Sequence, residues 1–457
     1  MKRRNFLHFS LAMGSSVLLP GLTYASTLDT SKIQFSKEIY TQNSAQTIIV
    51  YLYGGASQLA GNLSNIDEIK KRSQSSYDDY FGKMTRTKND CWEEAGGKVM
   101  ESLIKEGDMT LFRCCYSEKR EAANNKAHGS CTIQNQKGSF DEKSDGIITT
   151  LAKILMEKGV IDESTRMPFV TMEGESQFYC EETTALPKYL KPIGIDEKFS
   201  NPYKRNDRWW MYYTEKERNS APKSYWKTDS EGGFQPELSK KMDTLAQKNN
   251  HFKKMKETFS KREELSQFIQ SINDAETPDL GDNAYPDNHF SKKIEAAVKM
   301  IVHNPDTKVV TLGTGGLGGW DDHNDAKEYL SRMENLFQSL HSAMAHLKAE
   351  EKDTTVNILV FGEFGRNVNL NSAHGWDHGN LQNLYVLGGK DYFTHTGVEG
   401  ETRVDDAESM NRLWLKPKKE TNWFEPPSIA ATFYKIYGIE NPELLTSDYK
   451  EIDSLFS

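Results

Sequence analysis

Apolar, strand-like runs that alternate with helix-like segments constrain this chain more than any other feature. "AQTIIVYLYGG" (45–55) is an apolar run that ends in glycines, as a buried strand does. "DMTLFRCC" (108–115) and "MPFVTME" (167–173) read the same way. Between them, "GIITTLAKILMEKG" (146–159) has apolar residues at helical spacing and a glycine stop. Further on, a helical segment at 291–304 precedes the strand "TKVVTLG", and the amphipathic helix 325–350 precedes the strand "TTVNILVFGEFG" (354–365). "NLYVLGG" (383–389) is the last strand of the series. This alternation predicts an α/β fold, a mostly parallel sheet flanked by helices.

Residues from about 175 to 285 interrupt the pattern with a polar, aromatic-rich insertion. Trp209, Trp210 and Trp226 within it either pin the insertion to the body or stack on sugar rings. The second half of the insertion, 236–272, has helical character. Only 37% of the chain is hydrophobic, yet 21 Phe, 20 Tyr and 8 Trp supply material for a core. The formal net charge of -9 gives no electrostatic reason to bind nucleic acid.

The N-terminus "MKRRNFLHFSLAMGSSVLLPGLTYAS" has a basic start, an apolar stretch and a small-residue end. Arg3 and Arg4 resemble the pair of a twin-arginine export signal. Residues 1–25 are therefore expected to be a signal peptide, leaving an α/β domain over 26–457 that carries the insertion. Export would engage the twin-arginine translocase and deliver the chain to the periplasm or the exterior. Gly14, Ser15, Ser16 and Pro20 break the apolar stretch, so no stable membrane span is expected after cleavage. The cysteines are Cys91, Cys114, Cys115, Cys131 and Cys180, an odd number that leaves at least one outside any intrachain disulfide. Cys114 and Cys115 read as core residues or as one end of a bridge.

Ligands of open α/β sheets collect at the carboxyl ends of strands. Three polar clusters are expected there: "GGWDDHND" with Asp321, Asp322 and His323; "FGEFGRN" with Glu363 and Arg366; and "HGWDHGN" with His374, Asp377 and His378. Carboxylates and imidazoles suit divalent metals, and catalytic sites built from them keep a position open for water or substrate. Each cluster also has a plain structural reading. Asp321 or Asp322 could cap the following helix, Glu363 and Arg366 could form a buried ion pair, and the histidines could be turn residues.

These three motifs resemble those of a bacterial family, domain-of-unknown-function family 1501, which in turn resembles the alkaline phosphatase and sulfatase superfamily. The resemblance is specific over about 290–390 and loose over 60–285. It implies that Asp321 and His323 serve a metal, that Glu363 stands where the superfamily has a metal-binding aspartate, and that His378, with Asp377, closes the site. Arg366 would orient Glu363 or bind an anionic oxygen. His128, after the second strand, would reach the same cleft. The ion would be zinc, calcium, magnesium or manganese. The chain departs from the family at "GGASQLAGN", where Ser57 replaces an aspartate and could act instead as a nucleophile. The cysteine motif of sulfatases is absent.

Two functions follow. The first is an exported metal-dependent hydrolase of phosphate or sulfate esters, with a small-molecule or glycan ester as substrate. The second is a degenerate hydrolase fold acting in the cell envelope as a binding or assembly protein.

Overall fold

The run at 45–55 forms the centre of the sheet. A computed structural model of the chain describes residues 30–73, 75–172, 179–182, 186–187, 190–195, 244–245, 247, 264–265, 267–406 and 412–457. The expected signal peptide, Trp209, Trp210, Trp226 and most of the insertion lie outside the described residues. The strands are β1 (Gln46–Leu52), β2 (Met109–Tyr116), β3 (Phe169–Thr171), β4 (Ile193–Gly194), β5 (Val309–Gly313) and β6 (Val356–Gly362). They continue with β7 (Gly365–Arg366), β8 (His378–Gly379), β9 (Leu381–Gly388), β10 (Gly397–Glu399), β11 (Thr402–Asp406) and β12 (Leu413–Pro417). Eight of them form one sheet in the order β10-β2-β9-β6-β1-β5-β3-β4, while β7–β8 and β11–β12 are separate two-stranded ribbons.

The sheet is mostly parallel, with one reversal. β1 is parallel to β5 and β6, β3 to β4 and β5, and β10 to β2. β9 is antiparallel to both its neighbours, β2 and β6. The start of β9 therefore lies at the same edge as the ends of β1, β2, β5 and β6. This explains a feature of the motifs. The first two follow their strands and the third precedes its strand, yet all three reach one edge.

Helices cover both faces. The longer ones are α1 (Gly97–Lys105), α2 (His128–Lys137), α3 (Ile147–Glu157), α4 (His289–His303), α5 (Tyr329–Ala349) and α6 (Pro427–Ile436). Alternation along β1 divides the core. Ile48, Val50 and Leu52 face Met100, Ile294 and Leu340, from α1, α4 and α5. Ile49 and Tyr51 face Leu151 and Phe433, from α3 and α6. Every residue of β1 is buried, which is why the run is apolar on both faces instead of alternating. Burying each isoleucine or valine contributes roughly 1.5–3 kcal/mol relative to exposure.

All five cysteines are free thiols, and Cys114 and Cys115 are core residues, as one of the two sequence readings held. No helix among the described residues is long and apolar enough to cross a membrane.

His346 of α5 is fully buried, with Nδ1 3.2 Å from the Tyr285 hydroxyl. Burial, followed by the charges of Lys299 and His303, pulls its pKa from 6.5 down to about 4. In the window between those values the unfolded chain binds the extra proton, so stability should fall as pH drops through it and level off below about 4. Urea midpoints at pH 7 and pH 5 should differ in the wild type and differ less in His346→Gln. An equal pH dependence in both would discount this group.

Candidate metal centre

Three loops and one helix end converge at the carboxyl edge. After β5 the chain turns under Trp320, which is fully buried and donates from Nε1 to Thr314 Oγ1 at 2.7 Å. The main-chain nitrogen of Trp320 donates to the Tyr53 carbonyl beyond β1, at 3.1 Å. Asp321 and His323 follow and point outward from this anchored turn. Asp322 between them turns inward and pairs with Arg332 of α5. Burial raises the Asp322 pKa, and Arg332 opposes the rise. The cap is supplied by Asp325, whose side chain accepts from the Lys327 N–H, and not by Asp321 or Asp322.

Glu363 follows β6 directly and is almost fully buried. The main-chain N–H of Gly54 donates to its Oε1 at 2.8 Å. Its other oxygen, Oε2, lies 2.5 Å from Nδ1 of His128, the first residue of α2. Gly54 has φ +107, and a Cβ there would come within 2.5 Å of the Asp321 nitrogen, so the turn after β1 requires glycine. Arg366 in β7 is buried and spreads its guanidinium over three loops. It donates to the carbonyls of Gly55 (2.7 Å), Trp376 (2.9 Å), Trp320 (3.2 Å) and Gly54, and to Asp321 Oδ1 at 2.7 Å. His378 pairs with Arg366 across the β7–β8 ribbon and stands just before β9. The Phe364 ring packs against both His128 and His378, with centroids 5.0 and 4.5 Å away.

The centre consists of His128, Asp321, His323 and His378, whose ligand atoms all lie within 4.8 Å of one another. Asp321 Oδ1 is 3.5 Å from Nε2 of His128, 3.3 Å from that of His323 and 3.9 Å from that of His378. Each imidazole has an acceptor on its far side. Glu363 faces His128 Nδ1, Asp377 Oδ1 faces His323 Nδ1 at 3.3 Å, and the Lys126 carbonyl faces His378 Nδ1 at 2.6 Å. Where Nδ1 carries the proton toward that acceptor, Nε2 presents a lone pair to the middle. Nε2 of His323 and of His378 are 2.8 Å apart. Two facing lone pairs at that distance repel, and a cation or a shared proton between them removes the repulsion. Three nitrogens and a carboxylate oxygen form a donor set that fits a divalent transition ion.

The charges around the centre act in opposite directions. Burial tends to raise Asp321, but the Arg366 hydrogen bond and charge, with His128 and His323, hold it below the usual carboxylate range. The Glu363 hydrogen bond raises His128. Burial, then Arg366 and His128, push His378 down to about 4. An imidazole kept neutral is the form that can ligate a metal.

The structure thus brings together Asp321, His323, His378 and His128. It places Glu363 and Asp377 behind histidines, as partners that orient them. Arg366 orients Asp321 in place of Glu363. Ser57 is turned into the protein, 2% exposed, where its hydroxyl accepts from the Leu59 N–H. His374 stands apart, stacked on Tyr80 with centroids 4.8 Å away. Sequence reasoning missed the Lys126 carbonyl, which no residue-type pattern could reveal. It also missed Arg412, whose guanidinium lies 3.0 Å from Asp377 Oδ2.

A mixed α/β sheet with a histidine–carboxylate centre at its carboxyl edge defines the class of this protein. Within that class the chain belongs to the family described as protein of unknown function DUF1501, whose pattern matches residues 45–444. The family resemblance read from the three motifs is thereby borne out. No curated protein matches the chain by sequence. Among solved structures it is similar to Ps i-CgsB at 10% identity and a TM-score of 0.39, over 90% of this chain and 75% of that one. The same protein in complex with k-i-k-neocarrahexaose gives 9% identity and a TM-score of 0.36, with the same coverage. The alkaline phosphatase from the Antarctic bacterium TAB5 gives 10% identity and a TM-score of 0.33, over 89% of this chain and 99% of that one.

Proposed function

We propose that this chain is a metal-dependent hydrolase of phosphate or sulfate esters that works after export through the twin-arginine route. The observation that carries the reading is the inward convergence of three Nε2 atoms on Asp321, each imidazole being held from behind. A divalent ion bound there would supply a Lewis acid that polarises an ester oxygen. The nitrogen-rich set favours zinc over calcium, magnesium and manganese, which suit oxygen-rich surroundings.

The chain's own groups have separate tasks in this reading. Arg366 fixes Asp321, while Glu363, Asp377 and the Lys126 carbonyl fix the rings. The side chains of Asp321, His323 and His128 are 50%, 36% and 37% exposed, so substrate and water can reach them. The burial of Ser57 supports attack by water and does not support a serine ester. Ser57 in place of the family's aspartate is the observation that favours the second reading, a binding or assembly protein on this fold.

Metal content measured by mass spectrometry on mature protein tests the proposal. Wild type should hold stoichiometric zinc, and His323→Ala and His378→Ala should each lose most of it. Wild type that stays metal-free under every loading condition would sink the hydrolase reading. Ester turnover that is abolished in His323→Ala would eliminate the binding-protein reading.

A further inference from the structure

The β11–β12 ribbon lies against the outer partners of two of the three imidazoles. Arg412, the residue before β12, meets Asp377 Oδ2 at 3.0 Å, while Asp377 Oδ1 faces His323. Two residues on, Trp414 lies under the Lys126 ammonium, which is 4.1 Å from the ring centroid. The carbonyl of Lys126 faces His378. Residues i and i+2 of an extended chain share a face, so one face of this strand reaches both partners. His128 is different, because its partner Glu363 is buried in the body of the protein.

The ribbon is also tied to the second motif. The N–H of Val368 donates to the Leu413 carbonyl at 2.8 Å, and the N–H of Leu413 donates to Asn369 Oδ1 at 2.6 Å. These bonds, made by Val368 and Asn369 just after Arg366, fix where Arg412 leaves the backbone. Asp377 is partly exposed, with a side-chain accessibility of 23%. Among the described residues its carboxylate has two ionic partners, His323 and Arg412. Without Arg412 it could rotate toward solvent, and the Nδ1 of His323 would lose its acceptor.

We propose that Arg412 is a positioning residue of the centre. It holds Asp377 against His323, so that the β11–β12 ribbon sets the affinity of the cluster for its cation. This inference rests on the metal reading above.

The test is zinc affinity, measured by competition with a chromophoric chelator on the full mature chain. The variants are Arg412→Met, Arg412→Lys, Asp377→Ala and the double variant Arg412→Met/Asp377→Ala. Loss of an outer partner typically weakens metal binding by about 10–100-fold, so Asp377→Ala should fall in that range and Arg412→Met, acting through Asp377, should weaken zinc by up to the same factor. Arg412→Lys should recover part of that loss. Arg412→Met should add little on the Asp377→Ala background, because both act through one contact. A merely structural role for Arg412 would lower thermal stability without this dependence on Asp377. Unchanged affinity in Arg412→Met, or the same factor lost with and without Asp377, would overturn the proposal and leave the metal reading standing. A wild type that binds no zinc would overturn both.

Discussion

Arg366→Met should destabilise the fold by roughly 3–5 kcal/mol, the usual result of removing one partner of a buried, hydrogen-bonded charge. The guanidinium makes five hydrogen bonds, four to carbonyls and one to Asp321. Those carbonyls belong to the turn after β1, the loop after β5 and the approach to β8. Removing their donor orphans several acceptors at once, and each orphaned buried group costs about 1–3 kcal/mol. Arg366→Lys would keep the charge but lose the planar fork, because one ammonium cannot serve three loops. Its loss should be intermediate. Urea denaturation of the three proteins measures this, and a methionine variant within about 1 kcal/mol of wild type would show that the fork is dispensable.

Glu363→Gln should leave the fold standing and weaken metal binding by about 10–100-fold. The two oxygens of Glu363 each accept, from Gly54 N–H and from His128 Nδ1. A glutamine has one acceptor, so one of these two donors must lose its partner. If His128 is the loser, its ring is free to turn and its Nε2 leaves the centre. If Gly54 is the loser, the turn beside Asp321 shifts. Zinc competition would record the loss by either route. Affinity equal to wild type would mean that Glu363 does not orient His128.

Much of the fold could be read from the sequence, because strand runs buried on both faces differ visibly from amphipathic helices. β1, β2, β5, β6 and β9 all fall where apolar runs predict them. The reversal of β9 could not be read, since an apolar run carries no direction. At the site, residue type marked Asp321, His323 and His378, which the structure brings together with His128. It could not set Glu363 and Asp377, which face the far sides of His128 and His323, apart from the clustered Asp321, because carboxylates in either place have the same composition. The difference is geometric, and it depends on His128 arriving from a helix start far away in the chain. Arg412 had no signal, since its neighbours on the ribbon form no motif. Ser57 was offered as a nucleophile from its place after β1, but side-chain direction within a turn is not encoded in spacing.

The sequence separations within the centre carry a kinetic consequence. His128 and its partner Glu363 are 235 residues apart, and Lys126 and His378 are 252 apart. Closing loops of that length has an entropic cost that two side chains cannot offset, so no short stretch of the unfolded chain can preform this chelate. Small zinc-stapled domains are different, because there the ion gathers nearby ligands and the fold follows. Here the sheet must first align the ends of β2, β5 and β6 with the start of β9. An ion bound at this cluster would therefore arrive late on a finished scaffold and would take no part in nucleating the fold.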